Sequence, residues 1–436
     1  MTNFSEIYKS KLITIEEAVM KMKSNTDVIV AQCASEPQGC MSKFHLAKDN
    51  VQNVQVFSVL TLNPYDFYMK PEMKGHFELC SWFHAPGSRQ AIKDGTGTVT
   101  YVPNMLHRAA SDRLKVRRPH MFFGTCTPPD DKGFISLSLG ITYEKDILEA
   151  AEIVVLEVND QLPRTLGDTQ VHVSDVDFFV KYSQTPPTLP SPKPDVVALK
   201  IGEHIASLVE DGSTIQLGIG EIPNAAALSL AGKKDLGIHT EMFVDSMVDL
   251  YDKGVITNKK KTLHKGKSIC TFAMGSEKMY KWLHNNPSVE FLRGTYVNDP
   301  CVIRQNSKMV SINTCLMIDF TGQVASESIG INQYSGTGGQ TDTAVGAVEG
   351  LDGKGKSIIA CRSTARGGQL STILPTLPEG TAVTLHRSNT DYVVTEHGVA
   401  RLTGLTVKER TKALINIADP KFRDELLEKA KEIGYI

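Results

Sequence analysis

Residues 14–37, TIEEAVMKMKSNTDVIVAQCASEP, and residues 201–223, IGEHIASLVEDGSTIQLGIGEIP, carry one plan twice. Each predicts a helix, a turn, a short β-branched strand and a loop that a proline closes, Pro37 in one and Pro223 in the other. A constant offset of 186 places Glu17 on Glu203 and Pro37 on Pro223. Between the copies runs QTPPTLPSPKPD, 184–195, with five prolines from Pro186 to Pro194. Such a stretch forms neither helix nor central strand and behaves as a stiff, extended connector. The expectation is two related α/β domains, 1–185 and 196–436, joined by a linker over 186–195.

Working outward, short β-branched runs predict further strands: VQVFSV at 54–59, IVVLEV at 153–158, SIIAC at 357–361, AVTL at 382–385 and DYVVT at 391–395. Helical patterns lie among them, as in PNAAALSLAG at 223–232 and FRDELLEKAKEIG at 422–434. Alternation of this kind argues for open, largely parallel sheets covered by helices. Ligands of such sheets bind beyond the carboxyl ends of the strands, so the chemistry is sought there.

A chain of 436 residues exceeds one ordinary core and suits two or three. Its 47 basic and 49 acidic residues leave a net charge of −2, without the basic footprint of a nucleic-acid or electrostatically recruited membrane partner. The first residues, MTNFSEIYKSKLITIEEAV, are polar and helix-patterned, and no run approaches eighteen apolar residues. Neither a secretory signal nor a membrane span is predicted, and the expected location is cytoplasmic. Eight cysteines at 33, 40, 80, 126, 270, 301, 315 and 361 form no CxxC pair. They read as reduced, mostly buried thiols, and no metal site is predicted.

Three segments could carry chemistry. In QLGIGEIP, 216–223, an apolar strand runs into Gly218 and Gly220 before a helix. Glycines there let backbone approach a ligand, and a helix start offers N–H groups to phosphate. A tight strand-to-helix turn explains the same residues equally well, since the third glycine of a dinucleotide fingerprint and the lysine of a P-loop are both missing. In HTEM, 239–242, Glu241 reads as an acid at the start of a helix with apolar Met242, Val244, Met247, Val248 and Leu250, favoured by the helix dipole. It also reads as a nucleophile at a strand end, already ionised at neutral pH and needing no activating base. His239 points the other way in an extended segment and is expected to be structural. In YSGTGGQTD, 334–342, three glycines in four residues make either an anion or oxyanion loop or a plain surface loop.

Together the runs QLGIGEIPNAA, GIHTEM, SGTGGQTD and DYVVTEHGVARLTG, in that order, resemble the acetyl-CoA hydrolase/transferase family, and the likeness extends nearly end to end. The resemblance implies two NagB/RpiA-like α/β domains with the active site between them. It implies Glu241 as the catalytic nucleophile, the loop Gly218, Ile219, Gly220, Glu221 and Ile222 as CoA-binding, and Gly338 and Gly339 as the glycines that approach the thioester and its oxyanion. The substrates implied are a short acyl-CoA, 4-hydroxybutyryl-CoA or butyryl-CoA, and a small carboxylate such as acetate. CoA serves as substrate rather than resident cofactor, and a homodimer or higher homo-oligomer is implied. The implied route is ping-pong through a glutamyl-CoA thioester. Three positions depart from the pattern: Thr343 where relatives commonly have an aromatic, His397 where tyrosine is frequent, and Arg362 where proline is frequent. The alternatives are a hydrolase on the same scaffold and a non-catalytic CoA-binding sensor. An NAD-dependent dehydrogenase is disfavoured by the incomplete glycine fingerprint.

Overall fold

The computed structural model describes residues 4–436. Among these, two compact units are present: residues up to 189 with 270–296, and 190–269 with 297–436.

In the first unit seven strands form one sheet, every pairing parallel. Asp27–Val30 is central, flanked by Val54–Val59 on one side and Met121–Cys126 on the other. Because side chains alternate across a strand, one face buries Ile29, Phe57, Phe122 and Leu156. The other buries Val28, Val30, Val56, Met121, Phe123 and Val155. Burial on both faces is why these strands read as continuous β-branched and aromatic runs. The helix that opens the duplicated plan is short, Ile15–Val19, and starts at a capping box. The Thr14 hydroxyl accepts from the Glu17 N–H at 3.1 Å, and the Glu17 carboxylate accepts from the Thr14 N–H at 2.8 Å.

The second unit carries a six-stranded sheet. Gly237–Ile238, Thr214–Leu217, Met309–Thr314, Lys356–Ala360 and Tyr392–Thr395 run parallel in that order, and Gly398–Arg401 returns antiparallel at the edge. Its first helix, Val196–Leu208, begins where the prolines end: Asp195 caps it by accepting from the Ala198 N–H at 2.9 Å. The expected α/β class with open, largely parallel sheets is what both units show.

Two sequence expectations are corrected. AVTL at 382–385 joins no long strand. Its Leu385 makes a single bridge to Val324, and the Thr384 N–H donates to the Val324 carbonyl at 2.8 Å, so the segment edges a three-stranded ribbon instead. The expected boundary gave everything after 195 to the second domain, yet 270–296 belongs with the first unit. Phe272 bridges to Gly140 and Phe291 to Gly167, while the Ala273 N–H donates to the Leu139 carbonyl at 2.8 Å. Arg293 then ion-pairs with Asp146, Glu149 and Asp168 at 2.6–2.7 Å. No proline or glycine run marks where the chain leaves or returns, so composition gave no sign of it. Among the described residues no helix is long and apolar enough to cross a membrane.

Candidate active site

Strand Gly237–Ile238 pairs in parallel with Thr214–Leu217, and the His239 N–H continues the ladder by donating to the Ile215 carbonyl at 3.2 Å. The chain then passes Thr240, whose N–H donates to the Ile269 carbonyl at 2.9 Å, and turns out at Glu241. Glu241 thus stands just past the carboxyl end of a strand. The helix expected to start near Glu241 instead begins at Asp245, after an extended Met242–Phe243 pair. Phe243 and β-branched Val244 favour extended backbone, and the acid that faces the helix N-terminus is Asp245.

Two donors hold the Glu241 carboxylate. The Asn298 amide donates to its Oε2 at 2.9 Å, and the Gly339 N–H is hydrogen-bonded to it. Asn298 is fully buried. Gly339 is glycine for lack of room: a Cβ there would collide with the Glu241 carboxylate and with the Asn298 amide nitrogen. Gly338 adopts φ +55°, a left-handed conformation that suits glycine. Gly339 precedes helix Gln340–Val348, and the Gln340 amide donates to the Thr314 carbonyl at 3.1 Å. That contact sets the helix start at the carboxyl end of strand Met309–Thr314.

Burial of the Glu241 carboxylate pushes its pKa up to about 7. The charge of Asp342 acts in the same direction, whereas the Asn298 amide and the Gly339 N–H pull downward. Burial thus works against the full ionisation at neutral pH that the residue type leads one to expect. His239 is buried and its Nε2 lies 2.8 Å from the Val297 carbonyl, to which it donates. Desolvation, with the Lys261 cation, drives its pKa down to about 3, so it stays neutral.

Residues 218–222 follow strand Thr214–Leu217 at the same edge of the sheet: Gly218–Gly220 form the loop, with Gly220 at φ +115°, and Glu221 and Ile222 already begin helix Glu221–Ser229. Ile219 at its tip is 44% exposed, unusual for isoleucine. Glu221 is turned aside: its Oε1 accepts from the Asp195 N–H at 2.8 Å and its Oε2 pairs with Arg362 at 2.7 Å. Of the predicted residues, Glu241 and Gly339 are in direct contact. The 218–222 loop shares their sheet edge without a contact that ties it to the carboxylate.

Thr343, one of the departures from the family pattern, faces inward. Its hydroxyl accepts from Ser311 at 2.9 Å and from the Asn313 amide at 3.2 Å, so it fixes the helix on its strand. His397 lies 3.9 Å from a Glu396 oxygen and 4.0 Å from one of Asp419. Sequence reasoning missed Asn298. It sits in the run NDP, and Asp299 there does cap the short helix Pro300–Ile303. A capping reading accounts for the motif and hides the residue before it.

Two family models cover most of the chain: the acetyl-CoA hydrolase/transferase N-terminal domain matches residues 1–189 and the corresponding C-terminal domain residues 275–430. A 4-hydroxybutyrate coenzyme A transferase of Clostridium kluyveri is 44% identical over 430 residues, 98% of this chain and 99% of that one. Among solved structures, RipA from Yersinia pestis superposes with a TM-score of 0.95 at 35% identity, covering all of both chains. A 4-hydroxybutyrate CoA-transferase from Porphyromonas gingivalis gives 0.83 at 32% identity, over 99% of this chain and 100% of that one.

Proposed function

The chain belongs to the acetyl-CoA hydrolase/transferase family, and from that premise we propose that it moves coenzyme A from 4-hydroxybutyryl-CoA or butyryl-CoA to a small carboxylate such as acetate, with Glu241 as nucleophile. The observation that carries the reading is the clasp on Glu241, a carboxylate at a strand's carboxyl end held by the Asn298 amide and the Gly339 N–H.

The ionised Glu241 oxygen attacks the thioester carbonyl carbon. The C–S bond breaks, its electron pair leaves with sulfur as the CoA thiolate, and an acyl-glutamyl anhydride remains. The thiolate then attacks the glutamyl carbonyl and expels the donor acid as its carboxylate, leaving a glutamyl-CoA thioester. Acetate attacks that thioester, expels the thiolate, and forms an acetyl-glutamyl anhydride. The thiolate attacks the acetyl carbon, and Glu241 departs as a free carboxylate with acetyl-CoA formed. Two of these four additions place an oxyanion on the Glu241 carbonyl itself. Asn298 and the Gly339 N–H already hold the carboxylate on which that charge builds, and are assigned to stabilise it. The 218–222 loop and the start of helix Glu221–Ser229 are assigned to the nucleotide end of CoA. Homo-oligomerisation is part of the same proposal, and light scattering reads it directly.

The test is chromatography of CoA species after mixing the protein with butyryl-CoA or 4-hydroxybutyryl-CoA, with and without acetate. Acetyl-CoA that forms only with acetate, with little free CoA, is the expected result. Free CoA released at one rate regardless of acetate would instead make the chain a hydrolase. Glu241→Gln removes the nucleophile while keeping the shape: turnover is expected to fall at least ~10³-fold. A variant that kept its turnover would remove Glu241 from the chemistry.

A further inference from the structure

Arg362 follows strand Lys356–Ala360, at the sheet edge that also carries Glu241 and the glycine loop. Its backbone is pinned. The Thr372 hydroxyl donates to the Arg362 carbonyl at 2.6 Å, and the adjacent Ser363 N–H and hydroxyl donate to Glu396 at 2.9 and 2.7 Å. From this fixed base the guanidinium reaches two carboxylates on separate segments, Asp195 at 3.0 Å and Glu221 at 2.7 Å. The ring closes where the Asp195 N–H donates to the other Glu221 oxygen at 2.8 Å. Asp195 also caps helix Val196–Leu208, so three elements meet in one charged cluster.

Glu221 is the first residue after a loop whose glycines have no side chain to anchor it. Gly220 holds φ +115° with open space around the missing Cβ, so packing does not dictate its pose. The side chain that fixes the loop is therefore Glu221, and what fixes Glu221 is Arg362 together with the Asp195 N–H. There is a charge consequence as well. A free carboxylate in the first turn of a helix occupies the place where N–H groups would receive a phosphate. Arg362 draws that carboxylate sideways and neutralises it. An exposed single ion pair is worth little. A planar guanidinium that bridges two carboxylates instead fixes direction, which lysine cannot reproduce.

We propose that Arg362 is the positioning residue of the glycine loop, that it acts through Glu221, and that it sets affinity for the nucleotide end of CoA. The proposal rests on the reading of 218–222 as the CoA loop.

The experiment is calorimetric titration of the full chain with CoA, for wild type, Arg362→Ala, Arg362→Lys, Glu221→Gln and the Arg362→Ala/Glu221→Gln double variant. Steady-state kinetics on the same proteins accompany it. Arg362→Ala is expected to weaken CoA about 5–20-fold, and the loss in kcat/KM should appear in KM for the thioester rather than in kcat or in KM for acetate. Lysine should recover only part of the affinity. In the Glu221→Gln background the alanine substitution should add little, because its route of action is gone. Unchanged CoA affinity in Arg362→Ala overturns the proposal. So does an equal loss in both backgrounds, which would mean that Arg362 touches the phosphates directly. Wild-type protein that binds CoA with this ranking but transfers none would leave Arg362 in place and overturn the transferase reading. Wild-type protein that binds no CoA overturns both.

Discussion

A carboxylate nucleophile works only when ionised, and burial raises the pKa of Glu241, the proposed nucleophile. With its pKa raised to about 7, kcat/KM is expected to climb with pH and level off above about 8. The neighbours set where the limb falls. Asn298→Ala removes a donor that favours the charged form, so the limb should move to higher pH, and the rate at its plateau should drop by roughly 10²-fold with the loss of one oxyanion donor. Asp342→Asn removes a like charge and should move the limb the other way. A pH–rate series on the three proteins checks both directions, and a profile flat from pH 5 to 8 would contradict the assignment. Glu241 itself was legible in the sequence as an acid after a short strand. Its partner Asn298 was not, because its neighbours Asp299 and Pro300 fully account for that run as a helix start.

At the scale of elements, the carboxyl edge of the second sheet depends on two glycines that fail differently when replaced. Gly339→Ala drives a methyl into the Glu241 carboxylate and the Asn298 amide. Activity should fall more than ~10²-fold as the clasp opens, since about 1 Å of misplacement costs that much. Gly220→Ala meets nothing in space and pays only in backbone conformation. That strain is on the order of 1–3 kcal/mol, visible as a lower thermal midpoint with Glu241 chemistry retained once CoA saturates. Both glycine loops, and the strand that feeds the first, could be read from the sequence, because strand patterning and glycine spacing are local. The Met242–Phe243 extension was not, because its apolar residues satisfy helical spacing as well as strand burial. Only the start at Asp245 decides between them.

Across the molecule, the first unit buries three glutamates, Glu36, Glu144 and Glu157, whose pKa values burial raises to about 7. Their partners include backbone N–H groups at Leu62, Gln32, Tyr143 and Cys40 and the Tyr65 hydroxyl. A folded state that holds protons more tightly than the unfolded chain gains stability at low pH. That gain is complete below about pH 4.5 and disappears as pH rises through about 7, on the order of 1–3 kcal/mol per group. The thermal midpoint should therefore decline between pH 5 and pH 8. Glu36→Gln, which stays neutral, should flatten the decline, and a midpoint that rose over this range would refute the account. The proline connector and the paired α/β plan were visible from the sequence because each is a property of contiguous residues. The return of 270–296 was invisible because it is a property of pairing across more than a hundred positions.

That return also has a consequence in time. A ribosome that has released residue 189 has made most of the first unit but not the strand partners that Gly140 and Gly167 await in Phe272 and Phe291. At about 5–20 residues per second, the missing segment arrives some 5–20 s later, after residues 190–269 of the second unit. The amino-terminal half is thus the first to be synthesised, yet its unit stays incomplete until residue 296 has been made. Nascent chains stalled after residue 189 should stay protease-sensitive at Gly140 and Gly167, and those stalled well past residue 296 should not.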